Sequence, residues 1–218
     1  MAGIIVRNLS DQLVDLIRER ILDGTVPPGQ PIRQDALASE LGVSKIPLRE
    51  ALTRLEQEGL VTSQVNRGYV VRSLRSDEAE EVYALRLKLE PETVALAAIH
   101  ANDADRQQAI QASQELDAAT NVHGAGVGAF NRTFHLALIR PSGQATTTLF
   151  LERLHILSER YVRKHLEPLG RDQRANEEHG TILQMWLDRD TLVGKLVQAH
   201  IRKTVIDLRR ELSRQSEN

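Results

Sequence analysis

Residues 33–70 read RQDALASELGVSKIPLREALTRLEQEGLVTSQVNRGYV, and the reading of this stretch decides the fold. It predicts two short helices joined by a tight turn, then a small β-wing. The first helix spans Arg33–Glu40, with Ala36, Leu37 and Leu41 on its inner face. Gly42 ends it, because glycine leaves a helix through the left-handed region at little cost. Ser44 stands where it can cap the second helix, and Glu50 adds negative charge early in it. Pro47 sits in the first turn, where a missing N–H is tolerated. Leu48, Leu52 and Leu55 recur at helical spacing and point inward. Ser44, Lys45, Arg49 and Arg54 are left outward or at the end. A helix-turn-helix that shows cations from its second helix is shaped to enter a DNA major groove.

The following residues strengthen this reading. Leu60–Val65 and Tyr69–Arg72 are predicted strands, and Asn66-Arg67-Gly68 is the hairpin turn between them. Arg67 then stands at a hairpin tip, within reach of a phosphate or the minor groove. A small helical domain with solvated arginines is the alternative, and the wing weighs against it. Upstream, Leu9, Leu13, Leu16, Ile17 and Ile21 outline an amphipathic helix capped by Ser10. Val26-Pro27-Pro28-Gly29-Gln30-Pro31 reads as a turn-rich connector.

Residues 43–70 resemble the winged-helix segment of GntR-type transcription regulators, and the run SKIPLREALTRLEQEGLV is specific to that pattern. The resemblance implies a winged helix that binds operator DNA as a dimer. Carried over by position, it implies that Arg33, Ser44, Lys45, Arg49, Arg67 and Gly68 contact the DNA. Relatives often have arginine in place of Lys45. A lysine is a point charge rather than a planar fork, so bidentate reading of a guanine is weaker here. Ile46 either meets a thymine methyl or packs.

The chain has 218 residues, a net charge of −2 and 41% apolar residues, enough for one large domain or two small ones with cores. The positive charge is local: residues 44–75 carry six basic and three acidic groups. DNA affinity is therefore expected to depend on salt without being extreme. No run approaches the ~18 apolar residues of a membrane span. The start, MAGIIVRNLSDQ, lacks the layout of a secretory signal, and without cysteine there are no disulfides and no thiolate chemistry. A cytoplasmic protein is the expectation.

The expected fold class is mainly α: a winged helix-turn-helix over residues 1–75 and an antiparallel six-helix bundle over 76–218. Helices are predicted at about 77–101, 104–120, 125–140, 144–168, 171–188 and 190–213. Ser76 is the expected cap of the first, and Pro91 should kink or break it. Breaks are expected at Arg140–Gly143 and Leu166–Gly170. The glycines of His123–Gly128 follow no strand, so they read as a loop rather than a nucleotide site.

Histidines mark a second candidate site. Asn131 and His135 lie four residues apart, hence on one helical face. His179 and His200 lie on two later helices. Three imidazoles and an amide oxygen can converge inside a bundle and suit Zn²⁺, Ni²⁺, Fe²⁺ or Mn²⁺. Spacing alone leaves open that these are ordinary polar core residues. Residues 76–218 also resemble the all-helical C-terminal domain, of FCD type, in the FadR branch of GntR regulators, and six helices are closest to its VanR-like subgroup. That resemblance implies a metal ligand set at Asn131, His135, His179 and His200, with zinc the first choice of divalent metal. Asn131 stands where aspartate is common, and a neutral amide is a weaker ligand for a hard cation. The resemblance further implies a small carboxylate effector held beside the metal. Arg86 anchors it, or else forms an Arg86–Glu90 pair on the helix surface.

Two functions follow. One is a ligand-responsive DNA-binding regulator, a homodimer on a pseudo-palindromic operator. The other is a metal-dependent hydrolase using Glu178 as base beside the three histidines. The winged-helix motif favours the regulator and predicts that the chain is not an enzyme.

Overall fold

The first helix, α1 (Leu9–Leu22), starts after Asn8, whose side chain accepts from the Ser10 amide at 3.4 Å. The cap is therefore Asn8, not Ser10. Ser10 is buried instead, and its hydroxyl donates to Glu50 at 2.5 Å. This bond fixes Glu50 against α1, so its charge serves the contact between helices rather than the start of its own helix. The structure is a computed structural model that describes residues 8–65, 67–121, 127–165 and 171–216. The hairpin residue Asn66, most of the glycine loop and the break at 166–170 lie outside the described residues. The chain divides into two compact units, Met1–Leu74 and Arg75–Asn218.

In the first unit, α2 (Gln34–Leu41) ends at Gly42, whose φ of 65° is the left-handed value the turn requires. Its inward residue is Ala38; Ala36 is exposed, and Leu37 and Leu41 are half-buried. The helix is too short to align a wide apolar face, so one small side chain makes the close contact. The next helix, α3 (Lys45–Gln57), buries Leu48, Ala51, Leu52 and Leu55 completely. Arg18 of α1 holds Glu58 through Nε at 2.8 Å and Nη2 at 2.6 Å. This partly buried bidentate pair sets how α1 lies on α3.

The wing has three strands, not two. β1 (Pro31–Ile32), β2 (Val61–Gln64) and β3 (Gly68–Val71) form an antiparallel sheet in the order β1-β3-β2. The third strand comes from the connector. Gly29 N–H donates to Val71 O at 2.8 Å, and Val71 N–H donates to Gln30 O at 2.9 Å. Pro31 is tolerated because β1 is an edge strand.

The second unit consists of α4 (Ser76–His100), α5 (Asp103–Asn121), α6 (Val127–Ile139), α7 (Ala145–His165), α8 (Arg171–Leu187) and α9 (Val193–Ser216). A 3-10 turn, Arg140–Ser142, joins α6 to α7, and Gly143 follows it. Ser76 is the first residue of α4 rather than its cap, a position held by Arg75. Arg75 has no capping bond of its own; its guanidinium reaches Asp77 at 2.5 Å.

Helix α4 packs along α9 and α7, and α5 packs along α6 and α8. The break expected at Pro91 does not occur: α4 is one helix through it. Helix α9 crosses there so closely that a Cβ on Gly194 would lie 2.7 Å from the Pro91 carbonyl oxygen. Packing against α9 offsets the hydrogen bond that proline cannot make.

Candidate nucleic-acid interface and metal centre

In the first unit, α3 begins at Lys45, so Ser44, Lys45 and Ile46 lie at its N-terminus. Ser44 occupies the cap position, but its hydroxyl makes no capping bond. The exposed first turn thus presents backbone N–H groups at the positive end of the helix dipole, where phosphate is favoured. Ile46 is 72% exposed and does not pack. Lys45 Nζ lies 2.6 Å from Asp35 at the surface. Arg33, Arg49 and Arg67 are also exposed, and among the described residues none of them has an ion-pair partner. Arg54 is exposed, as expected, and pairs there with Asp11 of α1.

The wing is tied to α3 at two points. The hydroxyls of Thr53 and Tyr69 are 3.0 Å apart, and the Ser63 N–H donates to Glu56 at 2.6 Å. Both bonds fix β2 and β3 relative to the helix that carries Arg49. Gly68, with φ of 72°, permits the turn that brings Arg67 to the hairpin end.

In the second unit, His135 of α6, His179 of α8 and His200 of α9 come together and are buried. One nitrogen from each ring lies within 4.8 Å of the others. The ring centroids are 5.1 Å apart for His135–His179 and 4.7 Å for His179–His200. Asn131, one turn before His135, borders the same cavity of about 50 Å³. That is room for an ion and a few atoms of ligand. Phe134 packs on His179 with centroids 5.0 Å apart and closes one side.

Arg86 also borders this cavity, and it is not on the surface. Its Nε and Nη2 donate to Glu90 at 2.8 and 3.2 Å, and its Nη1 donates to Ser158 at 3.0 Å. The Arg86–Glu90 pair therefore exists, but in the bundle interior. Glu90 also faces His135 Nδ1 at 3.2 Å and His155 Nε2 at 3.2 Å. Burial alone would push the Glu90 carboxyl up, but Arg86 and the two histidines outweigh it and hold it well below the usual carboxylate range. Burial, against the pull of Glu90, pushes His135 down to about 4. At neutral pH its imidazole is therefore uncharged, the form that ligates metals.

The set fits a first-row divalent ion. It offers imidazole nitrogen donors from three helices, a borderline donor set that suits zinc better than calcium or magnesium. Sequence reasoning missed His155, which follows no spacing signal. It found Glu90 only as a surface partner and Glu178 only as a base. Glu178 instead meets His200 Nδ1 at 2.6 Å and Lys203 at 3.0 Å. Among the described residues, no helix is long and apolar enough to cross a membrane.

Comparison with known proteins agrees with this architecture. Residues 9–71 match "Bacterial regulatory proteins, gntR family", and residues 81–203 match the "FCD domain". The chain is 30% identical over 177 residues to the Nta operon transcriptional regulator of Aminobacter aminovorans, covering 81% of this chain and 83% of that one. It is 26% identical over 202 residues to the transcriptional repressor GlaR of Escherichia coli, covering 85% and 89%. Among solved structures, Escherichia coli McbR/YncC has the same fold, with a TM-score of 0.82, 20% identity and coverage of 94% and 99%. A GntR family regulator from Pseudomonas syringae gives a TM-score of 0.57 at 27% identity, covering 95% and 87%. The Aminobacter, GlaR and Pseudomonas proteins are named as transcriptional regulators rather than enzymes, which removes the hydrolase reading. A winged helix-turn-helix followed by an FCD domain places the chain in the GntR family of transcriptional regulators.

Proposed function

We propose that this regulator is a ligand-responsive repressor whose C-terminal unit binds a divalent metal, zinc first, together with a small carboxylate. The observation that carries the reading is the convergence of three buried imidazoles on a cavity also bordered by Asn131 and Arg86. His135, His179 and His200 would hold the ion, with the Asn131 amide oxygen as a fourth donor. A bound divalent cation supplies an electrophilic anchor for one carboxylate oxygen. Arg86 borders the cavity, and its guanidinium would donate to the other oxygen.

On the DNA side, Ser44, Lys45 and Arg49 of α3 enter the major groove. Arg33, Arg67 and the Gly68 backbone contact the flanking phosphates and minor groove. The protein works in the cytoplasm as a homodimer on a pseudo-palindrome, and the effector acts by binding its two states unequally. The six described helices α4–α9 support assignment to the VanR-like subgroup.

The deciding experiment is metal content per chain by plasma mass spectrometry on untagged protein purified without chelators. It is followed by gel-shift titration of operator DNA with and without small carboxylic acids. The expected result is about one first-row metal per chain and an operator affinity that changes with one of the acids. No metal after incubation with Zn²⁺, Ni²⁺ and Mn²⁺ would overturn the metal reading.

A further inference from the structure

Two of the three clustered imidazoles meet a carboxylate at Nδ1. His135 Nδ1 lies 3.2 Å from Glu90 of α4, and His200 Nδ1 lies 2.6 Å from Glu178 of α8. An ionised carboxylate can only accept, so the proton of an uncharged ring must sit on Nδ1. The lone pair is then on Nε2. Each carboxylate is itself gripped by a cation on the same or a neighbouring helix: Arg86 on Glu90 at 2.8 Å, and Lys203 on Glu178 at 3.0 Å. The cation offsets the carboxylate's charge and fixes its direction, so a flipped ring would lose its contact at Nδ1.

We propose that Glu90 and Glu178 are positioning residues that hold His135 and His200 in the Nδ1–H tautomer and make Nε2 the metal-donating atom of both rings. This rests on the metal reading and extends it to residues outside the ligand set. Two carboxylates on separate helices do the same work, as expected where ligand orientation and basicity are set from behind the donor. Residue adjacency hides one of them: Glu178 precedes His179 in sequence but serves His200, 22 positions on.

The test uses the full chain labelled with ¹⁵N, with long-range ¹H–¹⁵N spectra of the imidazoles before and after Zn²⁺. His135→Asn and His200→Asn variants identify the two signals. Both rings should be Nδ1-protonated before metal, and Zn²⁺ should shift their Nε2 resonances. Glu178→Gln keeps an acceptor oxygen but loses the charge. It should lower Zn²⁺ affinity about 10–100-fold while leaving the circular dichroism spectrum unchanged. Glu178 is chosen because it is partly exposed, whereas Glu90 is fully buried and its loss endangers folding. Nε2–H tautomers at both rings, Zn²⁺ bound through Nδ1, or unaltered affinity in Glu178→Gln would each overturn the proposal while the metal reading stood. Nδ1–H tautomers in a protein that takes up no Zn²⁺ would overturn the metal reading, and the donor role with it.

Discussion

Arg86 and Glu90 stand one turn apart in α4, with Nε 2.8 Å from Oε2, and both are buried. Each is the other's main compensation for leaving water. Removing Arg86 leaves a fully buried carboxylate without its cation. Arg86→Ala should therefore destabilise the protein by about 3–5 kcal/mol. In urea unfolding, the Arg86→Met, Glu90→Leu double variant should lose clearly less than the two single variants together. Strict additivity would show that the pair is not coupled.

Lys45 and Asp35 form an ion pair at 2.6 Å, with both side chains mostly exposed. Its own stabilisation is small, but Asp35 would compete with a phosphate for the Lys45 charge. Asp35→Asn should raise affinity for operator DNA a few-fold, about what an exposed pair of 0.2–1 kcal/mol allows. The gain should shrink with added salt. A fall in affinity, read by fluorescence anisotropy, would mean that Asp35 positions Lys45 rather than competing for it.

The Tyr161 hydroxyl donates to Glu78 at 2.7 Å. Burial, and then the Glu78 carboxylate, push its ionisation above the ordinary value of 10.0. In the unfolded chain the phenol loses its proton near that ordinary value, while in the folded chain it keeps it. The contribution is full below about pH 10 and falls as pH rises beyond it, because the unfolded state then binds fewer protons. Tyr161→Phe should cost about 1.5–3 kcal/mol at pH 7, as for a hydrogen bond to a charged group. Its deficit against the parent should narrow between pH 9.5 and roughly pH 11. A constant deficit in guanidinium titrations would rule out this linkage.

Gly194 allows α9 to approach α4 at Pro91, where an added Cβ would meet backbone at 2.7 Å. Backbone cannot rotate aside, so Gly194→Ala should cost about 1–3 kcal/mol by overpacking. A Cβ at Gly180, in the middle of α8, meets nothing within 4 Å. Gly180→Ala should be neutral or stabilise by up to about 1 kcal/mol. Equal melting temperatures for the two variants would contradict the close crossing.

The sequence by itself determined the helix-turn-helix, the hairpin of its wing, the six described later helices and the helical face shared by Asn131 and His135. Each depends on local information: Gly42 fixes a turn, Leu48, Leu52 and Leu55 fix a face, and Asn131 and His135 share one through helical period. Family resemblance joined His179 and His200 to that pair, which spacing within one helix could not do.

The tertiary structure alone decided which partner each polar group found. Ser10 reads as a cap but bonds to Glu50, 40 positions away. Glu178 reads as a base yet turns to His200, and His155 joins Glu90 across helices with no periodic signal. Pro91 reads as a break, but α9 packs across it. Backbone geometry repeats every few residues and can be read along the chain. The direction of a buried charge depends on which helices pack together, because inside the bundle any available partner is better than none.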